Sequence, residues 1–210
     1  LNPLFNYSIW GEGEIPLTLL IKHILNGNDQ SELASIPRLV YHSQSGIRST
    51  QNGTLATYVD FQKEIIPPDF SDYFKNLNIK DYIIPIERGR GCNWNKCSFC
   101  YLAQGYIFRL KPTELLISEI NFLIKEYNSF NFFFTDNDVI GSDLVEINRL
   151  LDKLILLKVE YPSFTIIMAE IISKGIDFST IKKMGLAGFK YVQVGLESIS
   201  EELLIDINKK

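Results

Sequence analysis

Three cysteines stand in one short stretch, Arg88-Gly-Arg-Gly-Cys92-Asn-Trp-Asn-Lys-Cys97-Ser-Phe-Cys100-Tyr101, and the chain has no others. Four residues separate the first pair and two the second. Thiolates are soft ligands that suit iron–sulfur clusters and zinc. Three of them on one loop can hold a cluster by three of its irons and leave the fourth open to a small molecule. The two histidines, His23 and His42, lie far upstream, so no fourth ligand is near in sequence. Arg88, Arg90 and Lys96 bring positive charge, which lowers thiol pKa. Gly89 and Gly91 allow the backbone to turn tightly around a bulky inorganic core.

A disulfide framework does not suit an odd number of crowded cysteines in a chain with no visible signal sequence. Structural zinc, held by three cysteines and a distant histidine, stays open, although zinc modules generally show paired ligands at both ends. On the residues alone, two classes therefore compete: a cluster-dependent enzyme, and a zinc- or cluster-stabilised binding module without catalysis. A net charge of −4 with no Lys/Arg block argues against nucleic acid as the main partner. The apolar runs are broken by charge before the ~20 residues a membrane span needs, so a cytoplasmic protein is expected. The chain begins at Leu1 and stops in a helix-like run at Lys209-Lys210, and reads as a fragment of a longer protein.

The elements that would position the cysteines follow an alternating pattern from Asp81 onward, short apolar runs with amphipathic segments between them. This is the signature of βα units on a parallel sheet. Strands are expected at Tyr82–Ile86, Asn131–Thr135, Phe164–Ala169 and Tyr191–Val194. Helices are expected behind Pro112 (Leu116, Ile120, Leu123, Ile124 and Tyr127 on one face), from about Asp143 to Val159, over Phe178–Met184 with Asp177 as N-cap and Gly185 as the stop, and from near Ser200. Four strands thus deliver the cysteine loop, Asp136-Asn137, Glu170 and Glu197 to loops at one rim, where barrels of parallel strands carry their functional groups. Any one of these carboxylates could simply be a polar loop residue; together, beside the cysteines, they point to a site.

Residues 1–75 are organised differently. A short strand at Asn6–Trp10, a helix over Leu17–Leu25, and strand-like runs at Ile36–Tyr41 and Thr54–Val59 flanking Gly46 and an Asn52-Gly53 turn signal are expected. Ile65–Tyr73, with Pro67-Pro68, reads as an extended linker.

The cysteine stretch resembles the cluster loop of radical S-adenosylmethionine (SAM) enzymes, in particular the branch that often carries a cobalamin-binding domain in front. There the first gap usually has three residues; here it has four, while Cys97-Ser-Phe-Cys100 keeps the tighter half and its aromatic. Phe132-Phe-Phe-Thr-Asp-Asn137 resembles that family's second strand and SAM-amine loop, Ala169-Glu170 the step of its third strand, and Gly195-Leu-Glu-Ser198 that of its fourth. Residues 1–75 resemble the tail of a cobalamin-binding domain with a small hairpin and linker, and 76–210 the N-terminal part of the barrel. The signature Asp-x-His-x-x-Gly is not found around His23 or His42, both of which read as structural residues.

The resemblance implies an α/β fold, a partial (β/α) barrel with about four of six βα units. It implies Cys92, Cys97 and Cys100 as ligands of a [4Fe–4S] cluster whose open iron chelates the amine and carboxylate of SAM. Phe99 would pack near the adenine, Asp136 would receive the amine, and Glu170 and Glu197 would contact the ribose or methionine part or order the rim. Reductive cleavage of SAM would give a 5′-deoxyadenosyl radical that abstracts hydrogen from a peptide or small molecule. The electron would come from a donor such as a flavodoxin or ferredoxin. With cobalamin in the full-length protein, methylation of a peptide natural product is the favoured setting. RNA methylthiolation by a related radical SAM enzyme is a further alternative, disfavoured because no basic RNA-binding module is visible.

Overall fold

The computed structural model describes residues 5–27, 31–50, 59–61, 68–76, 82–104, 107–172 and 176–209. The chain divides into two compact units, Leu1–Ile65 and Ile66–Lys210.

In the first unit, β1 (Tyr7–Ile9), β2 (Leu39–Ser43) and β3 (Gly46–Ser49) form an antiparallel sheet in the order β1-β2-β3. Helix α1 (Glu14–Leu25) contributes Leu20 to a small core with Leu33, Ile36, Leu39 and Tyr41. The partner of β2 differs from the expected one. The hairpin closes at Ser43↔Gly46, so the strand beside β2 is Gly46–Ser49. The Asn52-Gly53 turn signal and Thr54–Tyr58 lie outside the described residues. His23 is buried, with Nδ1 3.4 Å from Glu32 Oε2, and His42 is exposed.

The second unit opens with α2 (Ser71–Asn76), where an extended linker was expected. Proline constrains only its immediate neighbours, and the aromatics that follow Pro68 supply a reason to fold. Phe74 stacks on Tyr127 at 4.6 Å, and Phe70 and Phe74 pack against the main core.

That core is an α/β assembly. Strands β4 (Ile83–Ile86), β7 (Asn131–Phe134), β8 (Thr165–Ile171) and β9 (Phe189–Val194) make one parallel sheet in the order β4-β7-β8-β9. Helices α3 (Thr113–Tyr127), α4 (Leu144–Glu160) and α5 (Phe178–Leu186) make the crossovers, and α6 (Glu201–Asp206) follows β9. A short antiparallel ribbon, β5 (Gly89–Arg90) with β6 (Arg109–Leu110), stands apart from the sheet. Strand β4 is an edge, which lets it carry Pro85 without breaking an interior ladder. Alternation on β7 buries Phe132 and Phe134, which meet Phe164 at 5.5 Å and Phe189 at 6.0 Å. Ile120, Leu123, Leu150, Leu151 and Leu154 cover them from α3 and α4.

The helix ends follow local chemistry. Asp143 caps α4 by accepting from the amides of Val145 and Glu146, and Asp177 caps α5 by accepting from Thr180 N at 2.7 Å. Gly185 does not stop α5. The helix runs to Leu186, and Gly188 (φ +94°) takes the left-handed position that frees the chain to enter β9.

Candidate metal centre

Because the sheet is parallel, the segments after β4, β7 and β9 leave from one edge. The cysteine loop follows β4 and is pinched at its base by the β5/β6 ribbon, with Lys111 N donating to Arg88 O at 2.6 Å. The two glycines act for different reasons. A Cβ on Gly89 would lie 2.6 Å from Arg109 O and from Leu110 Cδ2, so the ribbon can close only there. Gly91, at φ +81°, makes the turn into Cys92.

Within the loop Cys97 is buried (8% exposed), Cys92 and Cys100 are half-buried, and all three are free thiols. The Cys100 amide donates to Cys97 O at 3.1 Å, which folds the tighter half into one turn. Burial pushes the Cys97 thiol up, and ionised Cys100, Cys92 and Glu197 push it the same way; Lys209 opposes them. The expectation that the loop's own cations lower this pKa is therefore corrected. Arg90 is paired with Glu87 at 2.7 Å, Lys96 lies over the Trp94 ring at 5.2 Å, and Arg88 points into the interior.

Arg88 is 1% exposed. Its guanidinium donates to the carbonyls of Val139 and Ile140, and its main-chain N–H donates to Asp136 Oδ2 at 2.9 Å. Asp136 is 3% exposed, and burial raises its pKa to about 7 despite the Arg88 amide and charge and the weaker pull of the Gly89 amide. Its Oδ1 has no hydrogen-bond partner of normal geometry among the described residues, and the same holds for Oδ1 of buried Asp138, whose pKa burial also raises. Arg88 was expected as a loop cation beside the thiols and is instead buried; Asp138 follows Asp136 as the next candidate for the amine. The signal available for Arg88 was its place between an apolar strand and a glycine, where a side chain can turn inward.

The other expected residues fall as follows. Glu170 was expected on the loop after Ala169, but β8 runs on to Ile171 because Glu170 and Ile171 pair with Gln193 and Val194 of β9; Glu170 is half-buried within the strand, and its carbonyl accepts from Val139 N at 3.0 Å. Glu197 is exposed after β9 at φ +58°, and its Oε1 is 3.1 Å from Lys209 Nζ. Phe99 is 57% exposed on the loop. The structure thus gathers the three thiols, Glu197 and Lys209 into one electrostatic neighbourhood, and Asp136 beneath the loop's base.

The donor set fits an iron–sulfur cluster. Three thiols on one loop repel one another when ionised, and cationic iron would offset that repulsion. Among the described residues no three His, Cys, Asp or Glu groups converge as ligands of a single metal ion. A four-iron cluster takes each thiolate on a separate iron, so it does not require such convergence.

The description Radical SAM superfamily matches residues 86–210, more than half of the chain. The chain belongs to the Radical SAM superfamily. Its cofactors are a [4Fe–4S] cluster and S-adenosylmethionine. No curated protein sequence matches the chain. Among solved structures, the fold is similar to that of the radical S-adenosylmethionine methyltransferase TsrM from Kitasatospora setae, at TM-score 0.69 and 20% identity over 95% of this chain. It is also similar to the cobalamin-dependent S-adenosylmethionine radical enzyme OxsB, at TM-score 0.66 and 20% identity over 96% of this chain. The match spans 39% of the TsrM chain and 29% of the OxsB chain. The α/β fold with four parallel strands is the expected radical SAM partial barrel. No described helix is long and apolar enough to cross a membrane.

Proposed function

We propose that this chain supplies the cluster loop and four βα units of a radical SAM enzyme, with Cys92, Cys97 and Cys100 as the cluster ligands. The observation that carries this reading is the loop itself: three coupled thiols where a parallel sheet delivers its functional groups. When bound there, a [4Fe–4S] cluster supplies an electron that splits the S–C5′ bond of S-adenosylmethionine, giving methionine and a 5′-deoxyadenosyl radical that takes hydrogen from a substrate. An external donor of the flavodoxin or ferredoxin class provides that electron.

The protein's own residues bind and orient. The β5/β6 ribbon fixes where the loop leaves and rejoins the fold. Asp136 commits Oδ2 to Arg88, which leaves Oδ1 as the acceptor for the amine of S-adenosylmethionine. Glu170, within β8, and Glu197, after β9, contact the ribose or methionine part or order the rim. Phe99 offers an exposed ring to the adenine. Anaerobic turnover of the full-length protein with a strong reductant tests this reading. It should release 5′-deoxyadenosine, and Cys97→Ala should release none. A reduced, cluster-loaded protein that forms no 5′-deoxyadenosine would overturn it.

The finer reading is cobalamin-dependent methyl transfer to a peptide natural product, with residues 1–75 as the tail of a cobalamin-binding-like domain. Its support is the likeness to TsrM, described as a methyltransferase and with cobalamin and a [4Fe–4S] cluster bound, and to OxsB with aqua-cobalamin bound. Full-length protein that forms 5′-deoxyadenosine yet binds no cobalamin would remove this reading and keep the first.

A further inference from the structure

The turn after α6 runs along the cysteine loop and holds it on both sides of Cys97. Ile207 O accepts from Ser98 N at 3.0 Å and from Ser98 Oγ at 3.2 Å. Asn208 O accepts from Trp94 Nε1 at 2.7 Å, and Asn208 Nδ2 donates to Lys96 O at 2.9 Å. We propose that Ile207–Lys209 is a latch that positions the cysteine loop, with Trp94 and Asn208 as its positioning residues.

Several features separate this latch from incidental packing. Helix α6 buries none of its residues, so the turn is not placed by a packed helix behind it. Both sides of the latch use left-handed backbone, Asn95 at φ +47° and Asn208 at φ +53°, a conformation that asparagine tolerates best among non-glycine residues. Trp94 and Lys96 sit in the first cysteine gap, whose four residues give the loop the length to reach the turn. The contacts grip the chain before and after Cys97, the most buried of the thiols. Lys209 extends from the same turn. Its side chain is only 12% exposed, and Glu197 Oε1 holds Nζ at 3.1 Å.

This assignment rests on the proposed cluster, so the experiment separates the two. In full-length, cluster-loaded protein, Trp94→Phe and Asn208→Ala should keep the iron content but lose iron to a ferrous chelator about fivefold faster, the factor one neutral hydrogen bond commonly carries. In cluster-free protein, hydrogen exchange of the segment containing the Ser98 amide should quicken in Trp94→Phe and Asn208→Ala, while exchange in α4 stays as in the parent. Parental chelation rates and exchange in both variants would overturn the latch. So would changes shared equally by α4, which would mark general destabilisation. If Asn208→Ala does not fold, Trp94→Phe carries the test, since it removes one donor and keeps an aromatic ring. A parent that takes up no cluster overturns the functional reading, and this assignment with it.

Discussion

The main-chain N–H of Arg88 donates to Asp136 Oδ2 at 2.9 Å, joining the entry of the cysteine loop to the segment after β7. The bond fixes the loop's base, yet it buries a carboxylate whose pKa burial lifts to about 7, with Glu87 pushing the same way and Arg88 opposing. The folded protein holds this proton more tightly than the unfolded chain. The group's contribution to stability is therefore complete below the ordinary carboxyl range and is lost as pH rises through about 7.

Asp136→Asn should remove that pH dependence while keeping an acceptor for Arg88. Urea midpoints measured from pH 5 to pH 8 should converge or cross, the parent losing stability relative to the variant as pH rises. Parallel profiles would contradict the buried, proton-binding state. The same variant lacks the charge for the amine of S-adenosylmethionine. A charge-assisted hydrogen bond contributes about 1.5–3 kcal/mol, so binding should weaken by roughly ten- to a hundredfold with the cluster's spectrum retained. Unchanged affinity would place the amine elsewhere.

Gly89→Ala forces a Cβ to 2.6 Å from Arg109 O, a backbone atom that cannot swing away. Overpacking of this kind costs about 1–3 kcal/mol. Urea denaturation should show a loss in that range, with weakened iron retention because the ribbon closes the loop. A variant as stable as the parent would mean the ribbon is looser than described.

The sheet and its helices were legible because apolar periodicity is a local signal. Phe132 and Phe134 alternate, and Leu116, Ile120, Leu123 and Ile124 share a helical face. The cysteines were legible because their chemistry needs only spacing. Long-range partners were not. Nothing local ties Trp94 to Asn208, which lie 114 residues apart. Arg88 read as a loop cation, yet carbonyls from 51 and 52 residues away draw it inside. At α2, the Pro67-Pro68 signal masked an aromatic cluster that only the folded chain assembles.

Lys111 Nζ and Glu119 Oε2 form a buried ion pair at 2.5 Å, linking the end of the cysteine segment to α3. Glu119→Ala leaves the ammonium buried without its partner and should destabilise by about 3–5 kcal/mol. Adding Lys111→Met should recover much of the loss. Chemical denaturation of both variants checks this, and a single variant within about 0.5 kcal/mol of the parent would show the pair to be solvated.

Strand β9 is a sheet edge, and Tyr191, Val194, Leu196 and Ile199 are exposed on and beyond it. Unpaired apolar edges template association. Residues 1–210 by themselves should self-associate with rising concentration in sedimentation velocity, and Tyr191→Lys should reduce it. A monodisperse monomer at high concentration would show the edge to be protected.

The cysteine ligand set is tested most directly by counting metal. Full-length protein reconstituted anaerobically with iron and sulfide should turn brown and hold roughly four irons per chain, and Cys97→Ala should lose the cluster. Stoichiometric tetrahedral zinc in anaerobically purified protein, with no cluster on reconstitution, would contradict the account.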